Sequence, residues 1–220
     1  MKRSIVGSLI RKDLFLYRWL IGGTILVGLA SLVLSGVGGS LGTTGGILLL
    51  TSLVVLGAFL AIHSAITERQ TRSLLFVLSL PISPMQYTAA KVVGALIAFL
   101  VPWALFALVI ALFGGGTDAG APPLPVTLTL LGLLLANFCV LTAIGVSTGS
   151  EFWSVAGIIA TNTTVPVFMT AAMPALTAST LSAVSPWTGP VLATLGAEFA
   201  VAALALGLAF HVQSRRTDFV

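Results

Sequence analysis

The sequence predicts an all-α membrane protein: six transmembrane helices, an N-terminal amphipathic helix in the cytoplasmic interface, and a short cytoplasmic helix between spans 2 and 3. Three observations predict it. Of 220 residues, 57% are hydrophobic and only 7% charged. A soluble domain carries about 25% charged residues, so a soluble globular protein is excluded. The apolar residues gather into six runs, each near the roughly 20 residues that a spanning helix requires. All ten lysines and arginines then fall on one side of that six-span arrangement. Residues 1–220 read as a single transmembrane domain.

Taken in order, residues 2–18 are amphipathic. On a helix turning about 100° per residue, Ile5, Val6, Leu9, Ile10, Leu14, Leu16 and Tyr17 share one half, and Ser4, Ser8, Arg11, Lys12 and Arg18 the other. That pattern suits a helix lying in the interface with its basic residues toward anionic headgroups. Asp13 projects into the apolar arc and needs a partner, and Phe15 falls on the polar side. A signal peptide also places basic residues before an apolar run, but this stretch is too long and too amphipathic for one. Spans are expected at about 19–37, 46–66, 88–113, 125–147, 152–173 and 188–211. Their connections are Gly38 to Gly45, the polar stretch 67–87, Gly114 to Leu124, Ser147 to Glu151, and Pro174 to Trp187. Gly114-Gly115-Gly116 with Pro122, Pro123 and Pro125 cannot extend a helix and reads as a loop. Pro174 to Trp187 is too polar to span and suggests a re-entrant or interfacial piece.

Charge orients the bundle. Lys2, Arg3, Arg11, Lys12 and Arg18 precede span 1; Arg69, Arg72 and Lys91 flank the connection between spans 2 and 3; Arg215 and Arg216 follow span 6. The other side carries only Asp118. By the positive-inside rule both termini and the 67–87 stretch are expected in the cytoplasm; the expected location is a bacterial inner membrane. The net charge of +4 does not imply nucleic acid, because the basic residues are sorted by membrane side. The single cysteine, Cys139, excludes an intramolecular disulfide.

Thr67 to Lys91, TERQTRSLLFVLSLPISPMQYTAAK, is the one long polar and amphipathic interruption. Ser73 to Leu80 is a short, mostly apolar run that Pro81 ends as a helix, for want of an N–H and because its ring clashes with the preceding turn. Ser83-Pro84-Met85-Gln86 restarts one: serine at the cap, proline at the first helical position and glutamine three residues on form a capping box. Glu68-Arg69, Ser73-Leu74-Leu75, Leu78-Ser79-Leu80-Pro81-Ile82-Ser83 and Lys91 together resemble a segment of ABC-2 type exporter permeases. Thr71-Arg72-Ser73 stands where that family usually has a Gly-Thr pair. The resemblance implies that this segment is a coupling helix docking on a separate ATPase subunit. It assigns the contact to Glu68, Arg69, Leu74, Phe76, Leu78, Pro81 and Ser83. It also implies a dimer with a second permease copy or a paralogue, and ATP with magnesium bound on the ATPase rather than here.

The chain's own residues agree that ATP is bound elsewhere, since no Gly-Lys pair exists from which to build a P-loop. Gly145-Val146-Ser147-Thr148-Gly149 matches a G-x-S-x-G nucleophile pattern but ends a span instead of following a strand, and reads as a chain reversal. No paired cysteines and no histidine pair at helical spacing suggest a metal. His63 and His211 read as interfacial side chains. Glu198 lies well inside span 6, where a carboxylate costs about 2.5–3.5 kcal/mol on insertion scales. Gly196, Ala200, Ala203 and Gly207 give the same helix a small-residue stripe. Asn137 and Asn162-Thr163-Thr164-Val165-Pro166 are further polar inclusions, and Pro166 is expected to kink or unwind span 5. Glu198, Asn162 and Asn137 are therefore pathway or packing candidates.

The resemblance implies a transport subunit as the expected function, surrounded by membrane lipid and partnered by cytoplasmic ATPases. The alternatives are a membrane-embedded enzyme using Ser147 or Glu198, and a non-transporting anchor that recruits a cytoplasmic partner.

Overall fold

The computed structural model describes residues 2–63, 84–113, 123–183 and 185–215. Among these the chain is helical almost throughout: α1 (Lys2–Val37), α2 (Gly39–Ile62), α3 (Pro84–Phe113), α4 (Leu124–Thr148), α5 (Glu151–Val167), a π turn (Phe168–Ala172), α6 (Met173–Leu181) and α7 (Gly189–Arg215). Six stretches are long and apolar enough to cross a membrane, with α5, the π turn and α6 forming one of them. In hydrocarbon every backbone N–H and C=O must be bonded within its own segment, which is why such runs become helices. Their hydroxyls follow the same rule. Thr24, Ser35, Thr51, Thr142 and Thr161 each donate to the carbonyl four residues back, at 2.8–2.9 Å.

Four expected boundaries move. Residues 2–18 are not a separate helix: α1 runs unbroken to Val37, because nothing between Arg18 and Trp19 stops it. The expected connection Gly38 to Gly45 is also helical. The reversal is completed at Gly38 and Gly39, whose φ of 76° and 60° only glycine adopts easily, and α2 begins at once. Gly45 is a contact residue, not a loop residue: a Cβ there would meet the Ser31 carbonyl and the Ser35 backbone of α1. Span 5 does not stop at residue 173. It continues through Pro174 to Leu181, because the wide turn before it, closed by Met173 N–H on the Phe168 carbonyl, makes room for the proline ring. Finally, α3 starts at Pro84, four residues ahead of the expected span and at the proline of the capping box. The 114–122 loop lies outside the described residues.

The bundle is organised around α4, the most buried span. Its neighbours are α2, α3, α5 and α7, while α1 packs on α2 and α3 from the far side. On α2 the buried residues Leu49, Leu53, Leu56 and Leu60 recur at helical spacing and form one seam. Phe99 of α3 stacks on Phe138 of α4, with ring centroids 4.2 Å apart and planes 7° apart, under Gly57 of α2. Phe106 of α3 fills a notch at Gly28 of α1. Antiparallel contacts between α3 and α4, and parallel ones between α4 and α7, bring the starts of α1 and α3 and the ends of α2, α4 and α7 to one end. That end carries Arg11, Lys12, Arg18, Lys91 and Arg215.

The glycine notch is testable. Gly28→Ala drives a methyl into the Phe106 ring, an overpacking that costs about 1–3 kcal/mol, whereas Gly36 has open space around it. Gly36→Ala should therefore leave the thermal midpoint of the purified protein equal or higher, by about the helix-propensity gain of 1 kcal/mol, and Gly28→Ala should lower it.

Candidate functional site

Glu68, Arg69, Leu74, Phe76, Leu78, Pro81 and Ser83 all lie outside the described residues. The two flanks of that stretch are described, and both are fastened to α1. Lys91, two turns into α3, donates from Nζ to Asp13 Oδ2 at 2.9 Å, with each side chain 7% exposed. This is the partner Asp13 requires. One turn further along α1, Tyr17 shares a 3.3 Å hydrogen bond with Nδ1 of His63, the residue that ends α2. Phe59 closes the group, stacked on the His63 ring at 5.3 Å and edge-on to Tyr17 at 6.5 Å. Positions 13 and 17 are four apart, so one face of α1 meets the end of α2 and the start of α3 together. Outside this clasp, Arg18 lies 3.9 Å above the Phe15 ring and 5.4 Å from Trp19. Phe15 thus belongs to a cation–aromatic group of the kind found at membrane interfaces.

The polar residues of the spans are not gathered into one place. Asn137 of α4 donates from Nδ2 to the Thr161 carbonyl at 3.1 Å and to the Thr164 hydroxyl at 2.9 Å, tying α4 to α5. Asn162, its neighbour on α5, faces outward and makes no side-chain hydrogen bond to another described residue. Pro166 has no N–H to offer the Asn162 carbonyl, so that oxygen lacks its usual i+4 donor. The α-helical run continues through Pro166 to Val167, and a widened turn follows at Phe168–Ala172.

Glu198 lies on the packed face of α7. Val191, Glu198, Ala202 and Ala209 are the buried residues of that helix, spaced seven, four and seven positions apart, which puts them on one face. The Glu198 carboxyl sits over Gly132 of α4, where any side chain would collide with Oε2. Neither carboxylate oxygen has a hydrogen-bond partner, and the residue is 7% exposed. The small residues Gly196, Ala200, Ala203 and Gly207 are exposed on other faces of the same helix. Carboxyl and stripe therefore do different things.

No nucleophile–base pair forms from these groups. Ser147 is in the last turn of α4, and Gly149 after it caps the helix in the left-handed region (φ 58°), its N–H on the Gly145 carbonyl. The G-x-S-x-G match is thus a helix stop. Since Gly132 of α4 is beside Glu198, Ser147 is roughly 22 Å further along the axis at 1.5 Å per residue. Among the described residues no three of His, Cys, Asp and Glu converge on a point.

Sequence reasoning left three participants unnamed. Lys91 pairs across 78 positions, His63 read as an isolated interfacial side chain, and Gly132 is one glycine inside an apolar run. Only Asp13, misplaced in an apolar arc, signalled that a partner existed.

Removing one member of a buried ion pair leaves the other uncompensated, at a cost of about 3–5 kcal/mol. Asp13→Leu and Lys91→Met should each lower the unfolding midpoint in detergent sharply. The double variant should recover a large part of the loss, and equal losses in all three would remove the ion pair from the account.

Comparison of the chain with protein-family models, with curated proteins and with solved structures finds no match. Its function is therefore read from its own residues.

Proposed function

We propose that this multi-pass membrane protein is the permease subunit of an ATP-driven exporter of the ABC-2 type, working as a dimer or with a paralogue and driven by separate cytoplasmic ATPases. The observation that carries the reading is the clasp. The segment resembling a coupling helix is bounded by His63 and Lys91, and both are bonded to one face of α1. A push delivered anywhere in 64–83 reaches α1, α2 and α3 at once, as a drive element requires. Basic residues concentrated at that end support a cytoplasmic position for it in a bacterial inner membrane, where polar headgroups of the surrounding lipids meet Arg11, Lys12 and Arg18.

The outer faces support a second copy. An exposed amide at Asn162, roughly 16 Å into the span at 1.5 Å per residue, is costly against lipid and is satisfied by a protein neighbour or a polar path. The exposed Gly196, Ala200, Ala203 and Gly207 let another helix approach closely. ATP and magnesium belong to the partner ATPase, and this chain supplies no cofactor site to the reading.

Two experiments test it. An ATPase carrying a P-loop should co-purify with the intact protein, and Phe76→Ala should weaken that association roughly thirtyfold, the equivalent of the about 2 kcal/mol typical of a buried aromatic anchor. Glu68→Ala should do less, since an exposed ion pair contributes about 0–1 kcal/mol. Full association and full ATP hydrolysis in Leu74→Ala, Phe76→Ala and Leu78→Ala alike would sink the coupling assignment. Separately, a cysteine at Ser40 should react with an impermeant reagent from outside intact cells and one at Gln70 should not.

A further inference from the structure

A carboxyl in the middle of a bilayer with both oxygens unpartnered is a costly feature, and this one has been given room. Glu198 is roughly 13 Å from the start of α7 and 26 Å from its end, at 1.5 Å per residue, so neither interface is within reach of its side chain. Gly132 supplies the space: any larger residue there would displace Oε2. The walls are apolar, with Leu195 on the same helix beside the notch and Ala202 one turn on. Trp103 of α3 comes near, but its indole N–H is committed to the Leu131 carbonyl at 2.8 Å.

Among the described residues no charge is placed to balance an ionised Glu198. On α4 the one titratable side chain is Cys139, about two turns from Gly132. The other helices packed on α7 are α3 and α6. Helix α3 carries Tyr87 and Lys91 near its start, Lys91 being held by Asp13, and α6 carries no ionisable residue. On α7 itself His211 and Arg215 are roughly 20 and 26 Å further along. An ionised carboxylate without a paired charge is costly to bury in such surroundings.

We infer that Glu198 is a proton-binding site at mid-membrane, loaded while α4 and α7 are packed on each other and emptied when the seam at Gly132 opens to water. In emptying, the carboxyl O–H bond breaks, its electron pair stays on oxygen and the proton passes to water. Reclosure requires the proton to return. No other bond is made and nothing is oxidised. The chain thus takes a proton as ligand, and its occupancy is tied to the separation of two spans. This is independent of how the protein is driven, so it stands or falls apart from the exporter reading.

The test is infrared difference spectroscopy of the full chain reconstituted in lipid, titrated in pH and compared with Glu198→Gln. A neutral-carboxyl stretch present in the wild type, absent in Glu198→Gln and converted reversibly to carboxylate as pH rises, supports the site. A stretch that stays unchanged at every pH where the protein remains folded identifies a sealed packing acid and overturns it. No neutral stretch at any pH means a permanently ionised, paired group, and overturns it equally. Should Glu198→Gln fail to fold, carboxyl-labelled glutamate in a Glu68→Gln, Glu151→Gln variant leaves Glu198 as the only labelled side chain, and the same outcomes apply. Gly132→Ala should shift the pH of conversion, because its methyl pushes the carboxyl out of the notch.

Discussion

No hydrophobic force draws one span onto another once both are in lipid, because hydrocarbon is as apolar as leucine. The bundle therefore depends on shape. Its closest approaches are made where a glycine lets a neighbour in: Phe106 at Gly28, the Ser31 and Ser35 backbone at Gly45, the Phe99–Phe138 stack at Gly57, and the Glu198 carboxyl at Gly132. Each notch belongs to a different pair of helices. Together they fix where α1, α2, α3 and α7 stand relative to each other and to α4. Leucine and valine fill the remaining space but would do so in many arrangements.

Polar groups add direction to that packing. The clasp at the basic end and the Asn137 bridge to α5 each give a helix pair one orientation, since a buried hydrogen bond tolerates little displacement. The Asp13–Lys91 and Tyr17–His63 contacts tie α1 to α3 and to the end of α2, and the Asn137 contacts tie α5 to α4, while α7 meets α4 at Gly132 with no hydrogen bond from Glu198. Across these groups Phe99 of α3 stacks on Phe138 of α4, and the indole N–H of Trp103 on α3 donates to the Leu131 carbonyl of α4 at 2.8 Å.

Much of this architecture was legible in the residues. Six helical spans follow from run length and from the bonding demands of hydrocarbon, and the unmet need of Asp13 was visible in its angle on α1. What could not be read was how glycine and proline would be used. Gly39 to Gly45 carries the residues of a loop, yet in lipid an unbonded loop costs more than a glycine-weakened helix, so helix prevails. Pro174 should stop a helix in water, but a turn widened beforehand absorbs it. Lys91 as the partner of Asp13 was hidden by the 78 positions between them. Gly132 was hidden because a notch is a property of two helices and neither sequence segment contains it.

The π turn at Phe168–Ala172 has a consequence for register. From Ser154 through Gly157 and Thr161 to Leu176 and Thr180, the inward residues of span 5 continue across it. They do so over 26 residues, Ser154 to Thr180, where seven regular turns would take about 25. The wide turn holds the difference. Straightened to an ordinary helix, the chain beyond it would be out of phase by up to about 100°. Leu176 would then turn away from Val126 and Val191, the cluster it completes. One surplus residue thus keeps the two halves of a span, one amide-lined and one leucine-lined, in phase with the same neighbour.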